Sequence, residues 1–399
     1  MTQTPAALDW LIIGGGIHGV HIAARLLGDA DVAPDRLRIV DPGDQLLERW
    51  RTCAATTGMS HLRSPSAHHL DVDPWSLDRF ARGRSHKRKR GLLARPFKRP
   101  ALTLFNEHCD KVVQAFGLKD LHIQDRAKRC SVDCDGAVVQ LSSGREIAAQ
   151  NLVLAIGSGE QPSWPDWAPR SHARVHHIFE PGFDGWPPAN EPLSETVGVI
   201  GGGISAGQVA LRLMAEGHRV HLVSRHPLRQ HQFDSDPGWL GPFRMAGFSR
   251  EPDFDRRRSL IAEARHRGSV PPDVRRSLSQ AIEQGHLHWH QDKVESLEAR
   301  GDGLVLGLAA YAELEVERVL LATGFTSSRP GGSMIDALIA SASLPCANCG
   351  YPIVDSALRW HPRVYVSGPL AELELGPASR NIAGARRAGD RLVDAAKAS

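Results

Sequence analysis

Six cysteines in 399 residues are too few for a disulfide scaffold and suit a reducing compartment, the cytoplasm. Long apolar runs are missing as well. No stretch approaches the roughly 20 residues of a membrane span. No signal peptide is visible, since the N-terminal apolar stretch carries Asp9 and a glycine turn. Charge of one sign is also missing: 48 Lys plus Arg stand against 45 Asp plus Glu, a formal net charge of +3. That balance gives no general case for a nucleic-acid partner. The 20 histidines are scattered, without HExxH or paired-ligand spacing, so no metal is expected. No Ser-His-Asp or paired-carboxylate constellation appears. The remaining chain is 41% hydrophobic and 23% charged, long enough for two or three domains with large cores.

What is present is glycine, 38 residues of it, and the sequence IGGGI twice, at 13–17 and 200–204. Each copy follows a short apolar run and opens a helix-like stretch, so each reads as strand, tight turn and helix N-terminus. Gly14 and Gly201 permit backbone angles that a side chain forbids. Gly16 and Gly203 let a pyrophosphate approach the main chain, and Gly19 and Ala206 are small enough for close packing of helix on strand. Unpaired N–H groups at the helix start then face the anion. One such turn is a weak signal; two in the same context predict two dinucleotide sites. The fold class expected is α/β with two Rossmann-like dinucleotide-binding domains.

The strand after each turn separates the copies. LRIVD, 37–41, ends in Asp41, an acid placed to accept hydrogen bonds from a ribose. HRVHLVSRH, 218–226, has Ser224 and Arg225 there, and an arginine suits a ribose 2′-phosphate, so the second nucleotide is expected to be NADPH. Between the units, 59–81 is rich in Ser, His and Pro and reads as loop around a site. RGRSHKRKR at 82–90 is a basic run, read as a solvated loop or helix end. Residues 129–149 read as a β-meander, 159–192 as a domain crossing, and 227–275 as a polar insertion. VERVLLATGF, with Gly324, closes the second unit, and RVYVSGP leads to a last helix starting near Ala378 to Asn381. The expected domains are 1–165 plus 330–399 for the first nucleotide and 192–329 for the second.

GGGIHG (14–19), LERWR (47–51), MSHLRSPSAHHLDVDPWS (59–76), FDSDPGWLGP (233–242), LATGF (321–325) and SGPLAELELGPASRN (367–381) come in an order that resembles a known group. These are the class B flavin-dependent monooxygenases, and within them the lysine and ornithine N-hydroxylases of siderophore pathways. The resemblance implies FAD in the first unit and tail, on Gly14, Gly16, Ile17, His18, Gly19, Asp41, Trp50, Arg51, Gly368, Pro369, Ala378 and Asn381. It implies NADPH on Gly201, Gly203, Ile204, Ser205, Ala206, Ser224, Arg225 and Gly324. The activity implied is N-hydroxylation of a small amine or amino acid by O₂ through a flavin hydroperoxide, with the flavin carrying the chemistry. The family's substrate-binding lysine has its nearest match here in Arg63. Arg63, His68 and His69 are the candidates for substrate contact or proton management.

Two other readings remain open from the residues. An FAD-dependent NAD(P)H reductase of the disulfide type needs a redox cysteine pair beside the flavin. Cys346-Ala-Asn-Cys349 has the spacing, Cys130 and Cys134 are a looser pair, and Cys53 stands alone after the first turn. A non-catalytic FAD/NADPH-binding regulator rests on the basic run alone.

Overall fold

The computed structural model describes residues 8–83, 89–186, 194–310 and 312–398. Each IGGGI sits where the pattern puts it. Leu8–Ile13 is a strand and Ile17–Asp29 a helix; Thr196–Ile200 and Ile204–Ala215 repeat this. Both strands are central in their sheets, with parallel neighbours on either side, and are largely buried. That is why they read as unbroken apolar runs rather than as alternation.

The first sheet runs in the order His122–Gln124, Leu37–Asp41, Leu8–Ile13, Glu146–Leu154, Val364–Val366, Arg359–His361. Ile12 stands opposite Ile39 on one side and Val153 on the other. Ala127–Val132 and Ala137–Leu141 complete the antiparallel meander that the turns Asp135-Gly136 and Ser143-Gly144 predict. The second sheet runs Leu287–Gln291, Arg219–Ser224, Thr196–Ile200, Arg318–Leu321, Val175–His177, all parallel. In both, the chain passes from the first strand to one neighbour and later returns on the other side. This leaves a crevice at the carboxyl ends, where α/β sheets bind ligands.

The far C-terminus belongs to the first unit. Val364–Val366 lies beside Glu146–Leu154, and the last helix, Ile382–Ala398, packs on Ile17–Asp29. Arg25 Nη1 reaches Asp390 at 2.6 Å across that contact. The core of this unit joins Leu11, Ile12, Ile22, Ile39, Phe105, Leu152, Val366 and Leu392.

Two stretches sit elsewhere than their composition suggests. The tract 159–192 is not merely a crossing: Val175–His177 is an edge strand of the second sheet, and Ile178, Phe179 and Phe183 enter its core. Three strand residues among Pro, Trp and Gly are too few to show a period. The insertion contributes Trp239, Met245, Phe248 and Ile261 to a cluster with Ala347, Tyr351 and Leu373 from the C-terminal third, so it leans on the tail of the first unit. Sequence pattern marks these positions as apolar but does not name the partner. Among the described residues no helix is long and apolar enough to cross a membrane.

Candidate dinucleotide cleft

The two glycine turns are alike in their backbone. Gly14 has φ +109° and Gly201 φ +148°, and a Cβ on either would lie 2.6 or 2.5 Å from the carbonyl oxygen of Ala155 or Ala322. Only glycine fits there. The Gly14 N–H donates to Val40 O at 2.8 Å and the Gly201 N–H to Val223 O at 2.9 Å, which ties each turn to the next strand. Gly16 and Gly203 then start the helices with no side-chain cap, so first-turn N–H groups are free for an anion. A Cβ on Gly16 would meet nothing within 4 Å, and one on Gly203 nothing nearer than 3.6 Å. Main chain is bare at both places.

Both turns open on one cleft of about 2350 Å³, more than twice the roughly 1,000 Å³ of a large small-molecule pocket. From the first unit it is lined by Gly14, Gly16, Ile17, His18, Asp41 and Trp50, and from the second by Gly201, Gly203, Ile204, Ser205, Ser224 and Arg225. Gly324 of the second unit and Gly368 and Pro369 of the first line it as well. Gly19 and Ala206 lie behind their turns, as packing residues should: a Cβ on Gly19 would lie 1.8 Å from Gly14 O. Ala378 is buried and Asn381 stands before the last helix, while their neighbour Arg380 lines the cleft.

The strand ends differ in what holds them. Asp41 Oδ2 accepts the Gly15 N–H at 2.6 Å and Oδ1 the Gly43 N–H at 2.9 Å, so the carboxylate is fixed at the cleft edge. Ser224 Oγ donates to His226 O and accepts the Trp289 indole N–H, both at 2.9 Å, and so is turned into its own sheet. Arg225 is exposed and lines that end of the cleft with Arg229, near Asp292, Glu295 and Lys293, of which the last two pair at 3.1 Å. His18 Nδ1 lies 2.8 Å from Ser367 Oγ, joining the first helix to the tail. Burial lowers its imidazole to about 4, so the ring is neutral at pH 7.

Three expectations need correction. Arg51 points away from the cleft to Asp110, and Arg49 lines the cleft instead, donating from Nη2 to Gly159 O at 2.7 Å. Helical spacing puts Arg49 and Cys53 on one face, a signal that the dipeptide Trp50-Arg51 obscured. Arg63 lines the cleft but is a strut: Nε donates to Gln232 O at 2.8 Å, and Nη2 reaches His231 O, Phe233 O and Ser269 Oγ at 2.7–2.9 Å. His69 is fully buried, with Nε2 3.1 Å from Pro74 O and Nδ1 accepting the Asp71 N–H, and neither it nor His68 lines the cleft. The loop carrying them is packed structure, with His69 edge-on to His108.

The cysteines are dispersed. Cys346 and Cys349 are free, half-buried and not part of the cleft wall. Cys53 lines the cleft singly, and burial raises its thiol, so it is not poised as a thiolate. Of the basic run, 84–88 lie outside the described residues; Arg82 meets Asp78 at 3.4 Å and Lys89 meets Glu107 at 3.7 Å.

The family model described as FAD-NAD(P)-binding matches residues 11–159, and that described as pyridine nucleotide-disulphide oxidoreductase matches 93–250. No curated protein matches the sequence. Among solved structures, the ornithine N-hydroxylase of Kutzneria sp. 744, with reduced FAD, NADP⁺ and L-ornithine, has 16% identity and a TM-score of 0.77 over 98% of this chain and 99% of its own. The FAD-bound cadaverine monooxygenase of the desferrioxamine pathway from Erwinia amylovora has 15% identity and a TM-score of 0.75 over 99% and 95%. A bacillithiol disulfide reductase from Bacillus cereus matches at 15% identity and 0.63 over 98% and 99%. The fold is that of the two-dinucleotide-binding flavoproteins. Within this chain the C-terminal strand and helix return to the first half.

Proposed function

We propose that the protein is an FAD-dependent, NADPH-consuming monooxygenase that N-hydroxylates a small amine or amino acid with O₂. One observation carries this reading: both glycine turns open on a single cleft, which Gly368 and Pro369 line as well. FAD fits the first half. Bare main chain at Gly16, the fixed carboxylate of Asp41, and Trp50 and Gly368 would hold its pyrophosphate, ribose and ring end. NADPH fits the second, with Gly203 and Ser205 toward the pyrophosphate and Arg225 toward the 2′-phosphate. Bound FAD supplies hydride acceptance and O₂ activation; the chain's part is to bind, orient and keep water out. This agrees with the want of a hydrolytic triad.

The solved structure that holds reduced FAD, NADP⁺ and L-ornithine in this fold supports the reading, and the missing cleft dithiol counts against the disulfide-type alternative. The free cysteines suit a cytoplasmic protein. The test is stoichiometry. Amines and amino acids are screened with the FAD-loaded protein, and NADPH oxidised is compared with hydroxylated product and with peroxide released. Near one product per NADPH for some amine is expected. Peroxide alone for every amine, or disulfide reduction lost in Cys53→Ser, would sink the proposal.

A further inference from the structure

Behind Arg380 lies a second cavity of about 140 Å³, lined by Arg258, Arg265, Arg267 and Arg380 with Glu372 and Ser327. Arg265, Arg267 and Arg380 line the main cleft too, so the two spaces share a wall. Four guanidiniums face one carboxylate. Glu372 is fully buried and both its oxygens are taken: Arg380 Nε donates to Oε2 at 2.7 Å and Nη2 to Oε1 at 3.0 Å, and Arg258 contacts Oε1. Arg258 also spends Nη2 on Ser327 O.

Arg265 is different. Its Nη2 donates to Pro377 O at 2.9 Å, but its Nε is buried with no hydrogen-bond partner among the described residues. Burial lowers its guanidinium to about 10, so it stays charged at pH 7; Asp234, on the cleft side, partly offsets that burial. A buried cation so poorly matched is costly unless a ligand supplies the counter-charge. The cavity is smaller than the roughly 300 Å³ of the smallest ligand pockets, so it admits the end of a molecule and not a nucleotide. Arg63, the sequence match for a substrate-binding lysine, has its donors on carbonyls and leaves the anchoring of a substrate to other residues.

We propose that this cavity anchors the far end of the substrate, and that this end is an anion without an ammonium beside it. The class is an ω-amino carboxylate or ω-amino phosphonate, rather than an α-amino acid. An α-ammonium placed here would meet Arg258, Arg265, Arg267 and Arg380, while Glu372, the one carboxylate in the cavity wall, is already shared by two guanidiniums. A carboxylate or phosphonate would complete Arg265. This rests on the amine-hydroxylase reading, and its test separates the two.

FAD-loaded protein saturated with NADP⁺ is titrated calorimetrically with inorganic phosphate. One site is expected, weakened tenfold or more in Arg265→Gln and severalfold in Arg267→Gln, with FAD content unchanged; if Arg265→Gln fails to fold, the exposed Arg267 carries the test. No binding to the NADP⁺-saturated protein, or equal binding in the folded variants, would overturn the subsite. ω-Amino carboxylates of three to six carbons, L-lysine and cadaverine are then set to displace phosphate. The best ω-amino carboxylate is expected to lead L-lysine, and cadaverine to fail. L-Lysine binding as well or better would overturn the exclusion of the ammonium. Binding as expected with no hydroxylated product defeats the monooxygenase reading alone; hydroxylation untouched by phosphate or by either variant defeats the subsite alone.

Discussion

The two glycine-turn halves share a backbone and differ in two side-chain decisions and in the path of the chain. Where the first has Gly19, pressed so close that a Cβ would fall 1.8 Å from Gly14 O, the second has Ala206, whose Cβ is accommodated behind Gly201. Where the first fixes Asp41 between two backbone N–H groups, the second turns Ser224 inward and sets Arg225 outside. And the first half takes its last strand and helix from the far end of the chain, while the second is continuous from Thr196 to Leu321 apart from its edge strand. The shared part is what any dinucleotide pyrophosphate needs. The differing part is what discriminates one nucleotide from another.

The largest effect that sharpens this comparison comes from the packing residues. Gly19→Ala forces a backbone oxygen aside and should cost roughly 3 kcal/mol or more, the upper range of overpacking; thermal melts and flavin content both read the loss. A cost as small as that of Ala206→Gly would show the two helices to be equally close and break the contrast.

Acid acts next. His69 and His108 are fully buried in the first half, and burial lowers them to about 4 and about 3. Asp71 faces both, Arg386 and Asp78 face His69, and Lys111 faces His108. The unfolded chain takes up protons below about 6.5, before the folded one does. Stability is therefore full above that pH and falls as pH drops toward 4, by on the order of 3 kcal/mol for each imidazole. Melting midpoints from pH 7.5 to 4.5 should show this, with flavin fluorescence rising as the first half loosens. A flat profile would remove these imidazoles from the account.

Asp41→Asn keeps the shape and removes the charge on the bond from Gly15, at about 1–2 kcal/mol, so FAD should bind roughly tenfold more weakly while NADPH affinity holds. Equilibrium dialysis of each nucleotide separates the halves; equal weakening of both would deny the assignment. Ala206→Gly should cost only about 1 kcal/mol, the propensity difference in a helix interior, with turnover kept. Smallest of all, Cys346→Ser with Cys349→Ser should leave flavin reduction by NADPH unchanged, because neither thiol lines the cleft.

Much of this was legible because each signal was local. A glycine whose φ is positive, the helix after it, and the residue ending the next strand lie within one βαβ span, so spacing alone placed Gly14, Gly16 and Asp41, and Gly201, Gly203 and Arg225. What failed was long-range. Arg63 looks free in sequence, and only the fold brings the carbonyls of 231–233 onto it. Trp50-Arg51 marked the right helix but the wrong arginine, since one residue turns a helix by about 100°. The Val175–His177 strand and the partner of the 227–275 insertion depend on contacts far along the chain, such as Val175 with Val319 and Trp239 in one cluster with Leu373, which no period encodes.

The central claim is that the second half selects its nucleotide through Arg225, and the ratio of kcat/KM for NADPH over NADH in flavin reduction tests it most directly. The account predicts a ratio of about ten or more in the native protein, as a charge-assisted contact worth some 1.5–3 kcal/mol would give. In Arg225→Ala the ratio should fall toward one, with FAD content unchanged. A native preference for NADH, or a ratio indifferent to the loss of Arg225, would contradict it.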